Sequence, residues 1–225
     1  MKTYIFAILL ACFTSNLFSQ THELGIFLGG TNFIGDIGST NYIYPNQFAG
    51  GVVYKYNLNP RMALRGNLNY LPIKGDDTAS SNQYRNSRGF TFTNTISELA
   101  AGIEFNFFDY NIRERTTAYT PYILVQFAGY NSKAPDFVDA NNRVFFKNNF
   151  SFSIPVGIGF KGRLADNLAF AIEAAARFTF DDNLDYTTEK IDGLNFGGKG
   201  KDHYMFTGIS LVYTFGRPPC YAERD

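Results

Sequence analysis

The chain has 225 residues with 20 basic and 20 acidic side chains, and 17% of its residues are aromatic. Nothing in this balance of charge indicates a nucleic-acid partner, and no run of eighteen apolar residues is present to form a transmembrane helix. Phenylalanine (24 residues) and glycine (21 residues) are abundant, which favours an exported, all-β protein of one domain.

The first nineteen residues predict a secretory signal peptide. An apolar run over residues 4–13 follows one lysine and is too short to cross a bilayer. We expect cleavage between Ser19 and Gln20. The alternative is a lipoprotein signal with lipid on Cys12, which fits less well because the apolar Phe13 follows the cysteine.

From residue 22 onward, eight segments alternate between large apolar residues and smaller or more polar ones. This period of two is the pattern of strands with two different faces. The alternation is long in the segment that ends at Phe215, where it covers about eleven residues, enough to cross a bilayer at a tilt. The predicted strands are 22–30, 48–56, 61–71, 91–108, 121–130, 150–163, 168–180 and 205–215.

The connections between these strands alternate in length. Short turns and a medium-length charged connector (109–120) alternate with long polar or glycine-rich loops, which are 31–47, 74–89, 131–148 and 181–203. An even number of strands with short turns at one end and long loops at the other is typical of outer-membrane barrels. The expected fold class is therefore all-β, an eight-stranded antiparallel transmembrane β-barrel over residues 20–216. The alternative is a soluble lipocalin-like barrel or a sandwich, whose solvent face would carry more charge.

Eight charged residues fall on the faces that would point into such a barrel. The lumen of an eight-stranded barrel is only wide enough to be filled by side chains, and charges buried there must be paired. Four acids and four bases therefore predict a plugged interior with an ion-pair network, rather than a proton or ion pathway. The residues are Glu23, Lys55, Arg65, Glu98, Glu104, Lys161, Glu173 and Arg177.

No catalytic, cofactor or metal site is predicted. The two histidines, His22 and His203, lie near opposite ends of the predicted barrel, and neither has a nucleophile with a base beside it. The acidic residues at 76–77, 181–182 and Asp185 could collect a calcium ion, but they are more ordinary as polar residues of long loops. We expect a protein that is not an enzyme.

Four segments along the chain carry a family resemblance. They read THELGIFLGGTNFIGDIG, YKYNLNPRMALRG, LNFGGKG and YMFTGISLVYTFGRPPCY, and the last, with its Pro-Pro-Cys, is the most specific. These residues resemble the PorG family of small outer-membrane barrels in the type IX secretion system of Bacteroidetes. The resemblance implies a component of the secretion and gliding machinery, with partners in the periplasmic ring lipoprotein PorK (GldK in gliding species) and the ring protein PorN (GldN).

The C-terminal tail, residues 217–225, is the first predicted contact with that ring. In an eight-stranded barrel both termini lie on the periplasmic side, so the tail projects toward it. Cys220 remains alone once the signal is removed, so it is either a free thiol or half of an intermolecular disulfide. The charged connector is a second candidate, with a solvated charge cluster as its alternative. The predicted contact residues are Arg217, Pro218, Pro219, Cys220 and Tyr221 in the tail and Arg113 and Arg115 in the connector.

The competing function is that of a stand-alone small outer-membrane barrel, acting as an adhesin or a carrier of hydrophobic ligands through its long loops. Such a carrier needs an open lateral or luminal path. A membrane-embedded acyl-transferring enzyme is a third possibility, disfavoured because no catalytic set is present.

Overall fold

The computed structural model describes residues 22–39, 41–110, 119–139, 141, 143–165, 167–188, 191, 194 and 201–215. The predicted signal peptide lies outside the described residues. So do Arg113 and Arg115 of the connector and all five predicted contact residues of the tail, from Arg217 to Tyr221.

Eight antiparallel strands close into one barrel, in which each strand pairs with its sequence neighbours and the last returns to pair with the first. The strands are β1 (His22–Ile34), β2 (Gln47–Asn59), β3 (Met62–Asp76), β4 (Thr91–Asn106), β5 (Tyr119–Val138), β6 (Val144–Ala165), β7 (Leu168–Thr179) and β8 (His203–Phe215). A 3-10 turn (Asp77–Ala79) and a short helix α1 (Gln83–Arg88) lie between β3 and β4. The predicted all-β fold of eight antiparallel strands is confirmed.

None of the helical residues that the structure describes belongs to a helix long and apolar enough to cross a membrane. We call the end of the barrel that carries the β1–β2, β3–β4, β5–β6 and β7–β8 connections the long-loop end. The opposite end, where β2 turns into β3 and β6 into β7, is the short-turn end.

The segment 131–148 differs from its prediction as a long loop. β5 continues to Val138 and β6 begins at Val144, and the two strands remain paired from Asn131↔Phe150 to Val138↔Val144. Lysine, asparagine and proline interrupt the apolar alternation in this segment, which hid the strands from a search for periodicity. The backbones of these residues nevertheless continue the hydrogen-bonded pairing of β5 with β6. Pairing with the neighbouring strand therefore decides the structure of this segment.

The apolar face of the wall points outward. On β4, Leu99 and Ile103 are 66% and 46% exposed, whereas the alternate residues Glu98 and Glu104 are 1% and 0% exposed. A soluble barrel has the opposite arrangement, because water favours charged side chains outside and apolar ones inside. An apolar exterior over a polar interior is the distribution of a barrel surrounded by lipid.

Close strand packing leaves no room for a side chain at Gly102 in β4. A Cβ atom there would point into the barrel and lie 2.5 Å from the Gln126 Cα atom, and closer still to the Val125 carbonyl oxygen. Gly66 in β3 differs, because the nearest atom to its added Cβ is 3.9 Å away.

We therefore expect Gly102→Ala to lower the free energy of unfolding by about 1–3 kcal/mol, the usual range for overpacking. Gly66→Ala is the matched control and should change it little. Urea unfolding of the two variants in lipid vesicles measures the difference. Equal destabilisation by both substitutions would contradict this packing.

Candidate functional site

Charged side chains from six strands converge in the middle of the barrel. All eight predicted lumen residues are buried, and Glu173 is the most exposed of them at 8%. Each reaches the interior because alternate residues of a strand point to the same face. The lumen is therefore a shared polar core, to which every strand except β5 and β8 contributes a charge.

The Glu104 carboxylate lies at the centre of the network. Its oxygens lie 2.8 Å from the Lys55 Nζ atom, 2.5 Å from the Lys161 Nζ atom and 3.2 Å from the Arg65 Nη1 atom. One fully buried acid thus serves three cations. One of these cations, Arg65, also pairs with a further acid.

Glu173 is that further acid. Its Oε2 atom lies 2.5 Å from the Arg65 Nη1 atom and accepts a hydrogen bond of 2.7 Å from the Tyr122 hydroxyl. The Arg65 Nε atom donates to the Asn67 side-chain oxygen at 3.0 Å. Arg65 therefore bridges the carboxylates of Glu104 and Glu173, and its Nε–H group is hydrogen-bonded to the neutral Asn67 side chain.

Glu98 forms a second centre, nearer the long-loop end. Its Oε2 atom accepts a hydrogen bond of 2.6 Å from the Tyr204 hydroxyl, and its Oε1 atom accepts one of 2.5 Å from the Asn69 amide. The Arg177 Nε atom is 3.7 Å from the same carboxylate. Tyr204 and Asn69 thus provide hydrogen bonds to both oxygens of Glu98, whose cation, Arg177, lies near the limit of ion-pair distance.

Glu23 differs from the other seven residues. Its Oε1 atom accepts a hydrogen bond of 2.8 Å from the Asn57 amide, but its Oε2 atom has no hydrogen-bond partner in the part of the chain that the structure describes. Among the described residues no cation forms an ion pair with it at 4 Å or less. Seven of the predicted lumen charges thus form ion pairs, whereas Glu23 forms a hydrogen bond with the Asn57 amide.

The interior is closed at both ends as well as filled in the middle. At the short-turn end, the Tyr110 ring covers the Lys161 Nζ atom at 4.4 Å from the ring centroid. At the long-loop end, Phe33 and Phe92 meet edge to face with ring centroids 4.8 Å apart. A cavity beside Arg65 measures about 10 Å³, room for about one water molecule. The described residues around this cavity thus leave little space for water in the middle of the lumen.

Two tyrosines of the network were missed in the sequence analysis. Tyr122 precedes the inward-facing Leu124 by two residues, and Tyr204 precedes the buried Phe206 by two residues. The period of two was the signal that could have placed both rings inside. Tyrosines at strand ends of a barrel are also typical of the membrane interface, so residue type alone pointed elsewhere.

Acidic residues at the long-loop end fall into two different environments. Asp77 binds the Arg88 Nε atom at 2.7 Å and the Gly38 N–H at 2.8 Å. Burial opposes its ionisation, but Arg88 and that N–H lower the pKa of Asp77 below its ordinary value. Its fixed negative charge fastens the β3–β4 loop to the end of β1.

Asp202, just before β8, is 1% exposed and accepts a hydrogen bond of 2.8 Å from the Leu184 N–H. Burial raises the pKa of Asp202 well above its ordinary value, and the neighbouring Asp185 carboxylate raises it further. The described residues contain no group of three or more His, Cys, Asp or Glu side chains arranged to hold a metal ion. The acidic residues at 76–77, 181–182 and Asp185 therefore belong to no such group among the described residues.

Removing the charge of Glu104 should destabilise the barrel strongly. Glu104→Gln keeps the shape but leaves three buried cations short of an acid, so we expect a loss of about 3–5 kcal/mol. Asp109→Asn is the control, because Asp109 pairs with Arg61 in an exposed ion pair, and such pairs contribute about 1 kcal/mol or less. Urea unfolding in vesicles measures both. A Glu104→Gln barrel as stable as the control would disprove the role of the network.

Asp202 and Asp77 should respond to pH in opposite directions. Asp202 has a raised pKa in the folded state, so the stability it contributes is present in acid and is lost as pH rises through that pKa. Asp202→Asn should therefore raise the thermal unfolding midpoint at neutral pH and match the native protein in acid. Asp77 has a lowered pKa in the folded state. Asp77→Asn should therefore lower the thermal unfolding midpoint at neutral pH and match the native protein in acid. Shifts of the same sign in both variants would contradict these environments.

Several solved structures resemble the barrel at a distance. Ail of Yersinia pestis, solved in complex with the heparin analogue sucrose octasulfate, is 12% identical, with a TM-score of 0.48 over 88% of this chain and 99% of that chain. The N-terminal barrel of Pseudomonas aeruginosa OprF is 12% identical, with a TM-score of 0.47 over 88% and 99%. Neisserial surface protein A is 10% identical, with a TM-score of 0.44 over 88% and 96%. The assignment of the fold rests on the strand register of the chain itself.

No curated protein matches the sequence. One family model matches it over almost its whole length, from residue 2 to residue 224, and its description is "Domain of unknown function (DUF6089)". The chain folds into an eight-stranded barrel with a filled, charged lumen. It belongs to the DUF6089 family.

Proposed function

We propose that the protein is a non-enzymatic outer-membrane barrel of the type IX protein secretion and gliding machinery. Its role is to anchor the periplasmic ring of PorK and PorN (GldK and GldN) to the outer membrane. The observation that carries this proposal is the apolar exterior around an ion-paired, closed lumen. Such a barrel is held in place by outer-membrane lipid and provides no conduit, which suits an anchor.

The two ends of the described chain support the direction of the anchor. His22 pairs with Phe215 at the short-turn end, so the described chain both begins and ends there. Bacterial outer-membrane barrels have their short turns in the periplasm. We therefore assign this end, the tail and the 109–120 connector to the periplasmic side, and residues 1–19 to a signal peptide removed on export.

The tail supplies the contact in this proposal. Pro218 and Pro219 restrict the backbone before Cys220, and a restricted segment loses less entropy when it docks. Cys220 then forms a disulfide with a ring subunit. Arg113 and Arg115 of the connector provide a second, electrostatic contact with the ring.

The test is recovery of the tagged full chain from outer membranes in mild detergent, on reducing and non-reducing gels. We expect the ring lipoprotein to be recovered with it, in a band that collapses on reduction. Removal of residues 217–225 should abolish recovery of the ring, whereas Cys220→Ser should abolish the reducible band.

Two results would count against this function. Recovery of the barrel alone would favour a stand-alone adhesin or carrier of hydrophobic ligands. Unchanged gel mobility and ring recovery with Cys220→Ser would remove the disulfide and leave only the non-covalent contacts.

A further inference from the structure

The β5–β6 hairpin continues beyond the rest of the wall at the long-loop end. β4 pairs with β5 as far as Ser97↔Asn131, and β7 pairs with β6 only from Ser153↔Thr179. β5 and β6 stay paired as far as Val138↔Val144. Residues 132–138 and 144–152 therefore form a two-stranded ribbon, about 20 Å long at the usual rise per residue. A ribbon of this kind has two edges.

The β5 edge of the ribbon is protected against further strands. The Asn94 side chain donates to the Lys133 carbonyl at 2.8 Å and accepts from the Lys133 N–H at 3.2 Å. Pro135 has no N–H group to offer, and the register shifts between Pro135 and Phe137. Proline and bulges are the devices by which natural sheets close an edge.

The β6 edge has no such protection among the described residues. Lys133 turns its main-chain groups toward Asn94, so the Lys133↔Asn148 pair is not hydrogen-bonded between the two strands. The N–H and C=O of Asn148 therefore point away from β5. By alternation those of Phe146 and Phe150 do too, and the Phe152 carbonyl indeed accepts from the Phe180 N–H across this edge.

The side chains along this edge are also accessible. Phe146 is 48% exposed and Phe150 is 67% exposed. They lie two residues to either side of Asn148 and so share one face of the ribbon. An added strand would find apolar contacts at alternate positions, as well as main-chain groups for which no partner is present among the described residues.

We propose that the β6 edge around Asn148 is a docking site for an extended strand of another polypeptide, which adds to the ribbon beside Phe146, Asn148 and Phe150. Main-chain hydrogen bonds provide the attachment in this mode of recognition, and alternate side chains provide selectivity. The preferred partner segment alternates apolar residues and has no proline at the pairing positions. This site is at the opposite end of the barrel from the proposed ring anchor and does not depend on it.

A second copy of the chain fits this edge poorly. Antiparallel pairing of two β6 edges, the more stable mode, relates them by an axis perpendicular to the ribbon, which would turn one barrel upside down relative to the membrane. Pairing of β6 with the β5 edge of a second copy is blocked by Asn94 and Pro135. A strand from a different polypeptide has neither constraint.

Hydrogen exchange of the full-length barrel tests the edge directly. The amides of Lys147 and Asn149 face β5 and should exchange slowly, whereas those of Phe146, Asn148 and Phe150 should exchange fast. Slow exchange of all five would mean that the edge is already covered and would overturn the proposal.

Binding is tested with a fluorescent synthetic peptide of residues 144–152, which as a free strand can pair antiparallel with the edge and set Phe146 opposite Phe150. We expect saturable binding to the full-length barrel in detergent micelles and slowing of the three fast amides. Asn148→Pro removes one outward N–H and should weaken binding about tenfold, the worth of about one hydrogen bond. Asn148→Ala keeps that N–H and should bind like the native protein.

Absence of saturable binding, or equal binding by the proline variant, would overturn the proposal. Equal loss in the alanine variant would assign recognition to the side chain and overturn it too. Fast exchange at Lys147 in the Asn148→Pro variant would show that the proline disrupts the ribbon. In that case the test uses variants of the peptide instead. Methylation of its edge-facing amides should then abolish binding, and methylation of the alternate amides should not. A native dimer that dissociates in the proline variant would assign the edge to a second copy.

Discussion

The Glu104 carboxylate, buried among Lys55, Lys161 and Arg65, is the interaction on which the rest of this barrel depends. Removing four ions from water is costly, and each is tolerated only while the others remain in place. Since the charges occupy the inward faces of their strands, the outward faces are left to apolar side chains. In water this arrangement would be unfavourable, whereas in lipid it is stable. One constraint thus sets both the contents of the lumen and its surroundings.

A lumen filled in this way moves function to the ends of the barrel. Tyr110 closes the short-turn end over Lys161, and Phe33 and Phe92 close the other. β8 ends at Phe215 at the short-turn end, and in the proposed function the tail that follows it reaches the ring. The long-loop end carries the buried acids Asp77 and Asp202 and the β5–β6 ribbon. In the proposed function, these two unlike ends of the barrel face different partners.

Much of this arrangement was predictable because the relevant signal is local. Alternation of residues along 91–108 placed Glu98 and Glu104 on the inward face and Leu99 and Ile103 on the outward face, as the structure has them. The same reasoning failed over 131–148, where polar residues and Pro135 break the alternation although the strands continue. Alternation of residue types arises when the two faces of a strand meet different surroundings, lipid on one side and the lumen on the other. The ribbon extends beyond the wall, so its two faces no longer differ in this way.

The sequence by itself determined which side chains face the lumen, because the period of a strand is a property of its own backbone. Only the tertiary structure decided which of them meet. Glu104 forms ion pairs with three cations. Glu23 accepts a hydrogen bond from the Asn57 amide and forms no ion pair among the described residues. Pairing across a closed barrel depends on the stagger of all eight strands around the ring, and a stagger of one residue would exchange every inward neighbour for an outward one.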